Sequence, residues 1–377
     1  MTYKRIFGII LITGVKREFI IQNYGTKKYL LRLTDYQIKK KVVIMVSKIK
    51  KQLIIFLYFV ILLVIMAPQG QAKSKNAIFE LSSEDSFVDI EYSDKDHKVA
   101  QGFTRVTSNS GKNYYMCAFS SLSDKNTYIY IYKTNGTLMA IVRDYGFHHI
   151  NSIAYGDGKI YIVDGEKYNK IFVLKNTYID DAIEKASKNK NLCVDKKFTY
   201  KYITKVKTKN KYQFLAYDQS SNILYGAILK DKTKLKIYKV YDSTKEKLEE
   251  KLYMKYNPDN MYKKDKYFGQ LAGLSIKNGY LYIGRNYYCC QAIQNDEIIS
   301  KNNAINIDGK LYSKIIDKIN LKTKKYDSNI LISTDIKDNV NELEGIFVNG
   351  SQIILFENSQ IGVTGDIIGR LYRIELE

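Results

Sequence analysis

The stretch "HHINSIAYGDGKIYIVDG" (148–165) places two short β-type segments on either side of Gly156-Asp157-Gly158. Apolar and polar residues alternate in both segments, as in strands with one buried face, and the glycines allow the positive φ angles of a tight reversal. The stretch therefore predicts a β-hairpin. It also contains two of the 3 histidines of the chain, so it is either a catalytic loop or one copy of a repeat.

The hairpin pattern recurs along the chain. Further copies lie at 101–121, 212–230, 271–286 and 343–359. The first strand of each copy contains a small residue, and these residues are Gly102, Ser152, Ala216, Gly273 and Gly345. Their mean spacing is about 61 residues, slightly more than one four-stranded propeller blade needs. A third β-type segment follows each hairpin, at 127–133, 170–176, 234–242, 312–321 and 369–377.

These repeats predict an all-β fold, a β-propeller of five four-stranded blades, with six blades as the alternative count. The last unit has no segment for a fourth strand, whereas "NAIFELS" (76–82) precedes the first unit without a hairpin partner. We therefore expect 76–82 to close the ring as the outer strand of the fifth blade, because a closed ring leaves no exposed edge. The segment 179–189 has a helical pattern and is expected to form a surface helix in the second blade.

The N-terminal region has the organisation of an export signal. A basic flank (46–52) precedes fifteen uncharged, mostly aliphatic residues (53–67), and the small residues Gly70 and Ala72 follow. The predicted regions are an upstream extension or cytoplasmic tail at 1–44, a signal peptide or single membrane anchor at 45–72, and the propeller at 76–377. The propeller is expected to be secreted or to lie on the outer face of the cytoplasmic membrane.

The formal net charge is +21, and it falls to about +10 without residues 1–72. A basic exported domain would attract an anionic cell-wall or membrane surface, although lysines that only solvate strand faces explain the same charge. We expect no specific binding of nucleic acid, and we expect the protein to be a monomer. No cofactor or metal is predicted, because the chain has no Cys-x-x-Cys or His-x-x-x-His spacing.

Aligning the five units identifies a candidate site at the mouth of the central channel. Gln101, Asn151, Leu215, Ala272 and Glu344 fall at one level, and Val99, His149, Gln213, Gln270 and Glu342 fall two residues earlier. The predicted ligand-binding residues are the polar members Gln101, His149, Asn151, Gln213, Gln270, Glu342 and Glu344. A histidine beside two carboxyl groups can exchange protons or hold a cation. In the alternative interpretation, these groups only satisfy one another around a water-filled channel.

Over residues 76–377 the repeated units resemble secreted bacterial β-propellers of the NHL, YVTN and strictosidine-synthase-like kind. "VAQGFTRV" (99–106) and "LEGIFVNGSQIILFENS" (343–359) also resemble the five-bladed glutaminyl cyclotransferases. That resemblance implies cyclisation of N-terminal glutamine with Glu342 or Glu344 as the acid/base group. The alignment of the repeats adds His149 beside them as a further candidate. The chain has no tryptophan, whereas that family has Trp-containing segments near its site. A shared fold does not carry a reaction with it.

The sequence therefore predicts a non-catalytic propeller that binds a ligand or partner at the channel mouth. The alternative is a secreted enzyme of the glutaminyl cyclotransferase or hydrolase type that uses a channel-mouth glutamate. The chain has no Gly-x-Ser-x-Gly elbow and no phosphate-binding loop to support another class of enzyme.

Overall fold

The computed structural model confirms the predicted five-bladed propeller. It describes residues 52, 77–90, 98–121, 127–144, 147, 149–165, 169–194, 198–230, 234–242, 247–256, 270–286, 293–294, 297–298, 305–307, 310–312, 314–334, 340–360 and 367–376. The innermost strand of each blade contacts the innermost strands of both neighbouring blades, which closes the ring around a central channel.

The strands follow the chain blade by blade. Strands β1 (Ala77–Leu81) and β2 (Ser86–Ile90) flank a 3₁₀ turn (Ser83–Asp85). Blade 1 contains β3 (Lys98–Thr107), β4 (Asn113–Ser121), β5 (Thr127–Lys133) and β6 (Leu138–Asp144). Blade 2 contains β7 (Ile150–Gly156), β8 (Lys159–Asp164), β9 (Lys170–Lys175) and β11 (Ile203–Lys207). Helix α1 (Thr177–Ser187), strand β10 (Cys193–Val194) and a 3₁₀ turn (Thr199–Lys201) lie between β9 and β11 in the chain. Strand β10 pairs parallel with β6 as an extra outer strand of blade 1.

Among the last three blades, only blade 4 has inserted strands among its described residues. Blade 3 contains β12 (Phe214–Asp218), β13 (Ile223–Lys230), β14 (Lys234–Asp242) and β15 (Lys247–Tyr256). Blade 4 starts with β16 (Gln270–Lys277) and β17 (Tyr280–Asn286). Two small ribbons follow, β18 (Ile293–Gln294) with β19 (Glu297–Ile298) and β20 (Ile305–Ile307) with β21 (Lys310–Tyr312). Strands β22 (Lys314–Asn320) and β23 (Lys325–Thr334) complete blade 4, and β24 (Val340–Asn349), β25 (Gln352–Gln360) and β26 (Ile367–Glu375) form blade 5.

An N-terminal strand closes the ring, but it is β2 and not the predicted segment 76–82. Strand β2 pairs antiparallel with β26 and is the fourth strand of blade 5. Strand β1 lies in the neighbouring blade, where it pairs parallel with β23 as an extra outer strand. The buried side chains explain this arrangement, because Val88 and Ile90 of β2 pack with Phe356 and Leu371 of blade 5, whereas Leu81 of β1 packs with Ile330 and Ile332 of blade 4.

Side-chain amides hold neighbouring blades together at the start of the inner strands. Asn286 of blade 4 accepts a hydrogen bond from the amide of Leu343 and donates one to its carbonyl, both at 2.8 Å. Asn358 of blade 5 binds the backbone of Ala100 in blade 1 in the same way, at 2.8 and 3.2 Å. These bonds satisfy buried backbone groups and fix the position of each inner strand at the channel.

Helix α1 confirms the helix predicted at 179–189, with bounds two residues earlier. Its buried residues Tyr178, Ile179, Ala182 and Ala186 recur at helical spacing and pack into the core between blades 1 and 2. In the part of the chain that the structure describes, no helix combines the length and the apolar character needed to cross a membrane.

Candidate functional site

Four of the five inner strands contain a β-bulge at the same level of the channel. In β3 the pairing passes from Ala100–Phe119 to Gly102–Ala118, so the extra residue is Gln101. The corresponding extra residues are Asn151 in β7, Ala272 in β16 and Glu344 in β24. A bulge turns its extra residue away from the regular alternation of the strand. The structure therefore places these four predicted residues at equivalent positions of the repeat.

Blade 3 departs from this pattern. Leu215 pairs in regular register with Gly226, so it is not a bulge residue. The Oε1 atom of Gln213 accepts a hydrogen bond of 2.7 Å from the amide of Leu229, which ties this predicted ligand-binding side chain to the second strand of its own blade. Ser152 of blade 2 bonds both backbone groups of Leu215, accepting at 3.0 Å and donating at 3.5 Å. These contacts anchor the inner strand of blade 3 to blade 2.

The bulges surround a small cavity between the inner strands, which we call the constriction. Its volume is about 10 Å³, roughly the space for one water molecule. Asn151, Ala272 and Glu344 line it together with three glycines of the inner strands. The strands approach closely here, since a Cβ atom on Gly345 would lie 2.6 Å from the Cβ of Phe103. The structure thus brings Asn151 and Glu344 to one place.

Glu342 and Glu344 form a carboxyl pair on β24. The side chain of Glu344 is 9% exposed, and its Oε1 atom accepts a hydrogen bond of 3.1 Å from Nδ2 of Asn358. Burial, and after it the charge of Glu342, raise the pKa of Glu344 well above its usual range, while the bond from Asn358 acts in the opposite direction. The two carboxyls are also hydrogen-bonded to each other. Burial and the charge of Glu342 both favour the neutral form of Glu344, because a buried charge beside a second carboxyl group is costly.

The other predicted site residues lie elsewhere or outside the described atoms. His149 is half-buried before β7, and its backbone is bonded to Asp164 and Gly165 of the same blade. Of the described residues, Gln101 and His149 are not among those that line the constriction. Gln270 is described through its backbone alone, paired with Asn286. The side chain of Gln270 lies outside the described residues.

Two buried ion pairs near the same end of the ring were not predicted. Arg285 binds Asp317 within blade 4 through two hydrogen bonds of 2.7 and 2.9 Å. Lys314 of blade 4 binds Glu357 of blade 5 at 2.6 Å. All four side chains are 0% exposed. A charge inside an apolar strand, such as Arg285 in "YLYIGRN", is the sequence signal that points to such a pair, because a buried charge needs a partner.

Beyond the constriction the channel widens into a chamber of about 260 Å³. All five inner strands contribute to it, through residues 104, 105, 107, 153–155, 215–217, 274–277 and 346–349. Its mouth lies at the turns that join each inner strand to the second strand of its blade. We call this side the chamber end, and the side with Glu342 and Glu344 the carboxylate end.

The described residues contain no group of three or more His, Cys, Asp or Glu side chains that is arranged to hold a metal ion. Their two cysteines are free thiols. Cys117 is buried, and burial raises the pKa of its thiol, which makes it unreactive as a nucleophile. Cys289 and Cys290 lie outside the described residues.

No family model matches the chain, and no curated protein matches it. Among solved structures, it is similar to a chain of "Structure of U3-55K", with a TM-score of 0.32 and 7% identity over 74% of this chain and 66% of that one. It is also similar to a chain of "Crystal Structure of Mitotic Checkpoint Complex", with a TM-score of 0.30 and 8% identity over 72% of this chain and 79% of that one. The chain thus spans just under two thirds of the first of these proteins.

Proposed function

We propose that this protein is an exported or surface-associated propeller of the secreted bacterial kind, which binds a ligand or partner at the carboxylate end of its channel without chemical turnover. The observation that carries the proposal is the pair of the half-buried Glu342 and the buried Glu344, of which Asn358 holds Glu344 at the constriction. A carboxyl group with a strongly shifted pKa at a concave surface is a frequent mark of a functional site. Export is supported by the signal-like sequence at 45–72.

The ligand class follows from the raised pKa of Glu344 beside Glu342. A cationic or hydroxyl-rich group placed against Glu342 and Glu344 would replace the hydrogen bond between the two carboxyl groups with a charge-assisted one. Ionisation of Glu344 would then accompany binding, so a cation should bind more tightly as the pH rises and should release a proton. Because the constriction admits about one water molecule, the ligand would bind at the mouth of the channel.

Glucosamine is a suitable probe, because it is a small cation with several hydroxyl groups. Calorimetric titration of the full-length chain in two buffers of different ionisation enthalpy should show binding with proton release. Glu344→Gln should weaken binding by about 1–3 kcal/mol and abolish the proton release, since an amide cannot ionise. Glu249→Gln, an exposed change on β15, is the matched control. Equal affinities of wild type and Glu344→Gln would contradict the proposal.

Catalysis by the same pair is the second candidate, of the glutaminyl cyclotransferase or hydrolase type. Its support is that one of two adjacent carboxyls is raised in pKa, the arrangement that separates an acid from a base. A peptide with N-terminal glutamine is the test substrate. Under this candidate, Glu344→Gln should lower kcat by at least about a hundredfold. Absence of turnover by the wild-type protein would exclude the cyclotransferase reaction and favour binding alone.

A further inference from the structure

The chamber has a closed floor and is large enough for a small organic molecule. Its volume is about 260 Å³, whereas the constriction beneath it has about 10 Å³. Benzene fits an apolar cavity of about 150 Å³, so the chamber fits a molecule on the order of ten non-hydrogen atoms. A ligand of that size cannot pass the constriction and would approach only from the chamber end.

The charged side chains that line the chamber are both cations, Arg105 and Lys277. Among the described residues that line it there is no aspartate or glutamate, and neither cation has a carboxylate of the described residues within ion-pair distance. The guanidinium of Arg105 lies 6.0 Å from the ring centroid of Phe347, a cation–π contact that holds it against the wall. Low-dielectric walls around charges of one sign concentrate the field and attract ions of the opposite sign.

The carboxylates on the neighbouring turns already have partners. Asp218 accepts hydrogen bonds from the amide and hydroxyl of Ser220, at 3.0 and 2.7 Å, and from the hydroxyl of Ser221, at 2.6 Å. The Oδ2 atom of Asp157 lies 3.7 Å from Nζ of Lys159. The positive charge of Arg105 and Lys277 is therefore left for a ligand.

The rest of the lining combines polar groups with an apolar wall. Thr104, Asn113 and Asn349 supply hydroxyl and amide groups, and Ile153, Leu274 and Phe347 supply apolar contact. From this geometry we propose that the chamber is a second binding site, one for a small organic anion with a carboxylate or phosphate group on a compact apolar body. Arg105 and Lys277 bind the anionic group, and the wall packs against the body.

This site is independent of the proposed function. The chamber and the Glu342–Glu344 pair lie on opposite sides of the constriction, so a ligand in one does not contact the other. Loss of anion binding and loss of cation binding are therefore separate results, each produced by its own substitution.

Benzoate, benzamide and benzamidine form a matched set of probes, because they share one ring and nearly one size but carry a negative, no and a positive charge. In NMR titrations of the full-length chain, benzoate should bind at least about tenfold more tightly than benzamidine, with benzamide between them. Phenyl phosphate should bind more tightly than benzoate because it carries more charge. Arg105→Gln and Lys277→Gln should each weaken benzoate binding by about tenfold, and Arg105→Lys by less.

Lys255→Gln removes one positive charge from the exposed outer strand of blade 3 and should leave benzoate binding unchanged. Glu344→Gln should also leave it unchanged. Unfolding curves followed by circular dichroism check that each variant is folded. The proposal is overturned if neither benzoate nor phenyl phosphate shows saturable binding, if benzamidine binds as well as benzoate, or if Lys255→Gln weakens binding as much as Arg105→Gln.

Discussion

The two ends of the channel are formed by the same five inner strands but hold charge in opposite ways. At the carboxylate end, Glu344 is buried and hydrogen-bonded to Asn358, and burial and the charge of Glu342 raise its pKa. At the chamber end, Arg105 and Lys277 face open space and have no carboxylate partner among the described residues. The strands approach closely at the first end and separate at the second.

The difference follows from the free energy of desolvation. A charge that is removed from water has to be paired or neutralised, because an isolated buried charge is very costly. At the carboxylate end, the raised pKa of Glu344 favours its neutral form, and Lys314 and Glu357 form an ion pair. The chamber stays open to water, so its cations remain charged without a partner and can bind an anion. Stability should therefore depend mainly on the carboxylate end.

The largest effect is expected when one substitution at each end is compared, which tests whether stability depends mainly on the carboxylate end. Lys314→Met leaves Glu357 buried without its partner and should lower the free energy of unfolding by about 3–5 kcal/mol. Lys277→Met removes a cation of the chamber and should change it by less than about 0.5 kcal/mol. Urea denaturation measures both, and the double variant Lys314→Met/Glu357→Leu should recover most of the loss. Equal losses in free energy of unfolding for Lys314→Met and Lys277→Met would contradict the expectation that stability depends mainly on the carboxylate end.

A smaller effect is expected at the constriction that separates the two ends. Gly345→Ala places a Cβ atom 2.6 Å from the Cβ of Phe103, so the strands must move apart, at a cost of about 1–3 kcal/mol. Gly102→Ala is the matched control, because its Cβ would lie 3.1 Å from a methyl group of Ile150, which can shift more easily. In thermal unfolding, the melting temperature of Gly102→Ala should lie closer to that of wild type than the melting temperature of Gly345→Ala does. The reverse order would show that the strands do not approach as described.

The smallest effect concerns the pH dependence of stability at the carboxylate end. The pKa of Glu344 is raised in the folded protein, so the stability it contributes is fully present below the pKa of an unfolded glutamate and is lost as the pH rises through the folded value. As the pH rises from the pKa of an unfolded glutamate to the folded pKa of Glu344, wild type should lose stability relative to Glu344→Gln. The free energy of unfolding should fall by up to about 1.4 kcal/mol per pH unit. Denaturation at several pH values measures it, and a constant difference would contradict the assignment.

The local part of the fold could be predicted well from the sequence. Strands 127–133 and 234–242 were predicted with the bounds that the structure shows, because alternation and turn residues act over a few positions. The closing strand was predicted wrongly. "AIFEL" and "SFVDI" are both short β-type segments, and the choice between them depends on which distant blade each one packs against.

The candidate site could be predicted in part, for the same reason. Repeat alignment placed Gln101, Asn151 and Glu344 at one level, and the bulges lie there. It could not show that the third copy lacks the bulge at Leu215. The buried ion pairs were also missed, because their partners are 32 and 43 residues apart and spacing in the sequence does not report such contacts.

The N-terminal strands also set the order in which the propeller can fold. Ala77 pairs with Ile330, and Ser86 pairs with Tyr372, so β1 and β2 need partners that are synthesised much later than they are. Contacts of such high sequence separation form slowly, and unpaired strand edges are prone to aggregation in the meantime. The ring can close only after β26 has been synthesised, so we expect the growing chain to need protection of β1 and β2 until then.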